Sequence, residues 1–119
     1  MKKKDTKKMF KPYFKDKNFE LIKANSLEFL ATLKENSVDM IFADPPYMLS
    51  NDGFSCQNGR MVSVNKGKWD KSNGFAEDLE FHETWIKECK RVLKPEGTIW
   101  ISGTYHSIYQ CGFLLQKLD

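Results

Sequence analysis

Apolar residues in this chain fall into two kinds of pattern, short dense runs and wider stripes at helical spacing, and the two alternate from one end to the other. Residues 19–24 (FELIKA) form the first run and are predicted as a short strand. Asn25 follows, with Glu28 three residues on, which is the spacing of an N-cap and its reciprocal acceptor. A helix is therefore expected to begin there, with Leu27, Leu30, Ala31 and Leu33 on its apolar face and Glu35, Asn36 and Ser37 as its polar end. Residues 38–43 (VDMIFA) are rich enough in large side chains to predict a strand buried on both faces. From 48 to about 76 the chain is polar and irregular, punctuated by Gly53, Gly59, Gly67 and Gly74, with a short strand expected only at 61–64. A connection this long in a small domain is functional or disordered. His82, Trp85, Ile86, Cys89, Val92 and Leu93 then make a helical stripe over about 77–93, closed by Pro95 and Gly97. A second buried strand is expected at 98–102 (TIWIS), and a last helix carries Ile108, Cys111, Leu115 and Leu118 on one face. Strands alternating with helices predict an α/β domain with a parallel sheet, in which ligands sit beyond the carboxyl ends of the strands. Asp44 stands at such an end.

Length and charge narrow the picture. The chain has 119 residues, enough for one domain, with 40% hydrophobic and 29% charged residues, which is ordinary globular usage. No apolar run reaches the roughly 20 residues of a membrane span, so a protein without membrane attachment is expected. Three cysteines, Cys56, Cys89 and Cys111, give no disulfide framework, and a reducing cytoplasm is the default compartment. The net charge of +3 is unevenly placed: residues 1–17 hold eight lysines against Asp5 and Asp16, and the remainder is mildly acidic. The chain thus divides into a basic N-terminal arm over 1–17 and a folded part over 18–119. The arm reads either as a solvated terminus or as a source of phosphate contacts through counterion release. Phe10, Tyr13 and Phe14 suggest that its second half packs on something.

Asp44-Pro45-Pro46-Tyr47 is the segment with the most chemical content. The exocyclic amino group of a nucleobase is a poor nucleophile because its lone pair is delocalised into the ring. A carboxylate and a carbonyl that accept its two N–H bonds draw that lone pair out of conjugation. Asp44 supplies the first acceptor and the Pro45 carbonyl the second, held rigidly because consecutive prolines have fixed φ and no N–H of their own. Tyr47 is suited to stack on a base turned out of its duplex.

This tetrapeptide, together with 36–43 (NSVDMIFA), 93–101 (LKPEGTIWI) and the loop 62–71 (VSVNKGKWDK), resembles the S-adenosylmethionine-dependent DNA amino-methyltransferases, and is most similar to the adenine-N6 enzymes of their β group. The resemblance covers about 19–119. It implies a Rossmann-like class I methyltransferase fold with a mostly parallel sheet, S-adenosylmethionine as cofactor, double-stranded DNA as partner, and methylation of a flipped adenine in a restriction-modification system whose endonuclease acts on the same site. In that family the catalytic turn maps onto Asp44, Pro45, Pro46 and Tyr47, with Asp44 also near the cofactor. Asn25 stands where the family often has a cofactor-side Asp, and it keeps its second reading as an N-cap. Related RNA and protein-glutamine methyltransferases carry a glycine-rich cofactor loop before the turn, but no glycine precedes Asp44 here, and no Phe-x-Gly-x-Gly pattern comes after it. The resemblance thus implies the N-terminal part of such an enzyme, with an incomplete sheet, an inactive isolated chain, and an unpaired edge and an exposed apolar face on 38–43 that favour self-association. Cytosine-N4 transfer is the nearest alternative, although that class usually has Ser in place of Asp44. A remnant that only binds DNA is the other.

Arg60, Lys66, Lys68 and Lys71 are candidates for phosphate contacts with Trp69 as a stacking residue; a solvated loop is the competing reading. His82 and His106 lack partners at ligand spacing, so no metal site is expected. His82 reads as a helix-face residue, and His106 either lies near the site or in a plain turn.

Overall fold

The computed structural model describes residues 10–50, 54–63 and 65–119. The first nine residues of the basic arm lie outside that range. Two short strands, β1 (Phe14–Lys15) and β2 (Glu20–Leu21), pair antiparallel, with a Lys15–Glu20 ion pair and the rings of Phe14 and Phe19 5.6 Å apart. The strand expected at 19–24 is thus cut to two residues and joins the arm, not the main sheet. Glu20 and Leu21 are both exposed, so nothing apolar extends the pairing. Phe10 meets Phe29 edge to face, which is where the second half of the arm touches the body.

Helix α1 (Ser26–Leu30) starts as its cap predicts: the Asn25 side chain accepts from Leu27 N at 3.0 Å and Glu28 N at 3.3 Å. It lasts only five residues. The guanidinium of Arg91 then donates to the carbonyls of Leu30 and Leu33 at 2.8 and 3.1 Å, beside the bond that the Leu30 carbonyl already accepts from Leu33 N, and so ties the end of α1 to α2. Strand β3 (Val38–Ala43) has the predicted bounds and leads into Asp44. The hairpin β4 (Phe54–Gln57) and β5 (Arg60–Ser63) turns on Asn58 and Gly59, both at positive φ, the backbone that a two-residue hairpin loop requires. Only its second strand was expected. A short 3-10 turn at Lys68–Asp70 precedes α2 (Phe75–Val92), which passes directly into β6 (Leu93–Ile101), and α3 (Ile108–Leu118) comes last.

The central unit is the parallel pair β3–β6, with Ile41 beside Ile99 and Ala43 beside Ile101. Gly97 eases the close approach where the strands start to align, because a Cβ there would crowd the Lys94 carbonyl at 3.0 Å and that of Asp39 at 3.2 Å. The two other sheets are antiparallel hairpins, so the architecture is mixed α/β around one parallel pair. Trp85, Ile86 and Cys89 of α2 with Cys111 and Leu114 of α3 form the core, and Leu27, Leu30, Ile41, Ala43, Ile99 and Ile101 pack against it. All three helices thus contribute to one side of the pair. The expectation of strands buried on both faces fails: Met40, Phe42 and Trp100 are 60%, 69% and 63% exposed. On α3 the expected Ile108, Cys111 and Leu118 pack in or against the core, and Leu114 takes the buried place expected of Leu115, which is 39% exposed. Among the described residues no helix is long and apolar enough to cross a membrane.

Candidate functional site

The carboxyl ends of β3 and β6 lie side by side, and the candidate site is built on the residues just beyond each. Ser102 N donates to Ala43 O at 2.9 Å, continuing the ladder one step past β6. That step brings the Ser102 hydroxyl to Asp44, where it donates to Oδ1 at 2.5 Å. The Tyr47 hydroxyl donates to the same oxygen at 2.5 Å and lies 3.1 Å from Ser102 Oγ. These two hydrogen bonds, Ser102 first and Tyr47 second, hold the Asp44 carboxyl below its ordinary value, with help from the Lys66 charge and against a smaller opposing effect of burial. Both donors converge on Oδ1, so among the described residues Oδ2 and the Pro45 carbonyl have no hydrogen bond. Two acceptors on consecutive residues are therefore free at the start of the Pro-Pro turn.

The turn is fastened from the loop side. Asp70 is 1% exposed, and its Oδ1 accepts from Tyr47 N at 2.8 Å and Met48 N at 3.1 Å, while Oδ2 accepts from the Ser50 hydroxyl at 2.8 Å. Ser50 Oγ in turn accepts from Lys66 N at 2.8 Å. Lys66 Nζ stands 5.3 Å from the centre of the Tyr47 ring, at cation–π distance. Asp44, Pro45, Tyr47, Lys66, Trp69 and Asp70 enclose a small pocket of about 80 Å³, less than a purine needs, whose outer wall is the exposed side chain of Trp69. On the other side of Asp44 a larger cleft of about 460 Å³ runs between α1, β3 and α2, lined by Asn25, Phe29, Ile41, Pro46, Phe81 and Trp85 among others.

A family model described as DNA methylase matches residues 38–119, which takes in β3, the Asp44–Tyr47 turn, the loop and everything after it. The chain belongs to the DNA methylase family. It is 50% identical over 109 residues to the type II methyltransferase M2.DpnII of Streptococcus pneumoniae, a stretch that is 92% of this chain and 41% of that protein. Similarity to the type II methyltransferase M2.MboI of Moraxella bovis is 49% over 109 residues, 90% of this chain and 40% of the relative. To the type II methyltransferase M.HinfI of Haemophilus influenzae it is 43% over 100 residues, 83% and 28%. The chain spans about two fifths or less of the length of these curated relatives.

In this member of the DNA methylase family the structure brings Asp44, Pro45, Tyr47, Lys66 and Trp69 together around the small pocket. Pro46 and Asn25 belong to the larger cleft, which they share with Asp44 and Pro45. Arg60 sits at the exposed tip of the β4–β5 hairpin, and Lys68 and Lys71 are exposed on either side of Asp70; none of the three lines the pocket. His106 stacks on Tyr105 at 4.0 Å in the exposed turn after β6. His82 is fully buried between α2 and α3. Three residues of the site escaped the sequence reading: Ser50, Asp70 and Ser102. Ser102 carries a usable signal, since it ends the second parallel strand and the carboxyl ends of neighbouring strands converge. Asp70 is the one acid within 62–71, among Lys66, Lys68 and Lys71, and that contrast was its only mark.

Proposed function

We propose that this chain carries the target-base site of a DNA adenine-N6 methyltransferase, within a Rossmann-like methyltransferase fold and a restriction-modification system. The observation that carries the reading is the pair of free acceptors, Asp44 Oδ2 and the Pro45 carbonyl, beside a pocket flanked by Tyr47 and Trp69. Accepting the two N–H bonds of an adenine amino group, they would hold it pyramidal and free its lone pair for attack. A carboxyl with its pKa held down accepts a hydrogen bond and does not remove a proton from the neutral amine. As the N–C bond formed and the C–S bond of the donor broke, the nitrogen would become cationic and strongly acidic, and its proton would then pass by way of Asp44 Oδ2 to water. Tyr47 and Trp69 would sandwich the base, which requires the exposed Trp69 side chain to swing outward. Lys66, with Arg60, Lys68 and Lys71 further out, would meet phosphates of the duplex.

The larger cleft fits S-adenosylmethionine in size and place, since about 460 Å³ is within the range of small-molecule sites and it opens beside Asp44. Asn25 at its rim would contribute its amide nitrogen, its oxygen being engaged in the α1 cap. When bound, this cofactor supplies an electrophilic methyl group on a sulfonium centre. We propose further that the 119 residues by themselves bind the cofactor weakly, transfer no methyl group and self-associate through the exposed Met40, Phe42 and Trp100.

The test is a chimera in which this chain replaces its 109 matched residues in M2.DpnII. Labelled methyl groups from S-adenosylmethionine should appear as N6-methyladenine in unmethylated DNA, and Asp44→Ala should lower turnover by at least about 100-fold with DNA binding largely kept. Methylated cytosine would move the reading to N4 transfer, and DNA binding without transfer would favour a remnant.

A further inference from the structure

Proline has no N–H, so after Asp44 the first donors by which the turn can be fastened are those of Tyr47 and Met48. Both point at one oxygen of one buried side chain, Asp70, 23 residues beyond Tyr47 in the sequence. Met48 is held there in the left-handed region at φ 57, unusual for a non-glycine residue. Successive N–H groups around a left-handed residue make a concavity that takes an anion. Here the anion is a carboxylate of the chain itself. Through Ser50 Oγ the same carboxylate also fixes the backbone of Lys66, whose ammonium lies over the Tyr47 ring. Tyr47 is thus held from its backbone and over its ring by a network that begins at Asp70, and its hydroxyl ends on Asp44.

We propose that Asp70 is a positioning residue for Asp44, acting through Tyr47: it fixes the backbone of Tyr47 and Met48 so that the Tyr47 hydroxyl stays on the Asp44 carboxylate. The catalytic meaning of this arrangement rests on the function proposed above, but the arrangement itself is measurable in the chain without any methyl transfer.

A direct electrostatic effect of Asp70 on Asp44 has the opposite sign, which makes the test sharp. Removing a neighbouring negative charge makes Asp44 easier to ionise, whereas releasing the Tyr47 hydroxyl makes it harder. The experiment is a carbon-detected NMR titration of the Asp44 carboxyl in the full 119-residue chain. In Asp70→Ala the titration of Asp44 should move up towards its ordinary value. In Asp70→Asn it should stay at or slightly below wild type, because the amide oxygen still accepts from Tyr47 N and Met48 N while the negative charge is gone. In a Tyr47→Phe background Asp70→Ala should add no further upward shift, since the group through which it acts is gone. A downward or absent shift in Asp70→Ala, or the same upward shift with Tyr47→Phe already present, overturns the proposal. If Asp70→Ala fails to fold by circular dichroism, Ser50→Ala takes its place; it removes the partner of Oδ2 and also the acceptor of Lys66 N, so it is read with and without Tyr47→Phe. A smaller upward shift that disappears in the Tyr47→Phe background upholds the proposal, and no shift, or one that persists there, overturns it.

Discussion

Ile41, Ala43, Ile99 and Ile101 face the helices from the β3–β6 pair, whereas Met40, Phe42 and Trp100, drawn from the same two strands, face solvent. Both sets are apolar, and the second is the bulkier. What separates them is only that α1, α2 and α3 all lie on one side, where Trp85, Ile86, Cys89, Cys111 and Leu114 close over the sheet. Stability in this chain therefore belongs to the covered face, while the open face contributes area that is not removed from water. A strand pair with its aromatic side chains on the outside is a surface for more polypeptide, and hydrophobicity along the sequence does not distinguish that from a finished core.

The comparison can be broken by substitutions on its two sides. Leu114→Ala, at a fully buried position, should destabilise the fold by about 2–5 kcal/mol in urea titration. Phe42→Ser, on the open face, should cost no more than about 0.5 kcal/mol in the dilute monomer, the range of ordinary surface changes, and should reduce oligomers in sedimentation at higher concentration. Equal losses from the two in the dilute monomer would mean that Phe42 is packed within the chain itself.

A smaller effect should come from pH, again on the covered side alone. Trp85 Nε1 donates to His82 Nδ1 at 3.1 Å, so the buried imidazole is neutral with its proton on Nε2, which has no partner among the described residues. Burial lowers its pKa from 6.5, and the nearby Asp78 offsets this only in part. The unfolded chain takes up a proton as pH falls through about 6.5 while the folded chain resists, so stability should fall as pH drops below that value. His82→Gln should flatten that slope in urea melts taken across about pH 5–8. The smallest effect is chemical. The Cys89 and Cys111 thiols are pushed up to about 11 by burial. Iodoacetamide at about pH 8 should therefore leave both unmodified in the native chain and label both in urea, as mass spectrometry would show; labelling of the native chain at the rate seen in urea would mean that the α2–α3 interface opens.

How much of this was legible depends on the range over which each feature acts. The bounds of β3, the Asn25 cap and the buried stripe of α2 through His82, Trp85, Ile86, Cys89 and Val92 are set by neighbours within one or two turns, and the sequence pattern carries them. The place of the Asp44–Tyr47 turn at a strand end was readable for the same reason. Ser102 and Asp70 were not, because they reach that turn through hydrogen bonds 58 and 23 residues long in sequence, which leave no periodic trace. The β1–β2 hairpin was missed because a pair of exposed two-residue strands has no apolar alternation to betray it. The second face of β3 was misread because an apolar run says that burial is favourable and is silent on whether a partner is present.

The Arg91 fork that closes α1 has a consequence for motion. A five-residue helix has too few internal bonds to persist by itself, so α1 keeps its shape by leaning on a side chain of α2. Opening it costs the Asn25 cap, that guanidinium and a few apolar contacts, less than unfolding the β3–β6 pair behind it. One bank of the large cleft is thus less firmly held than the other, and the amides of α1 should exchange with solvent before those of α2.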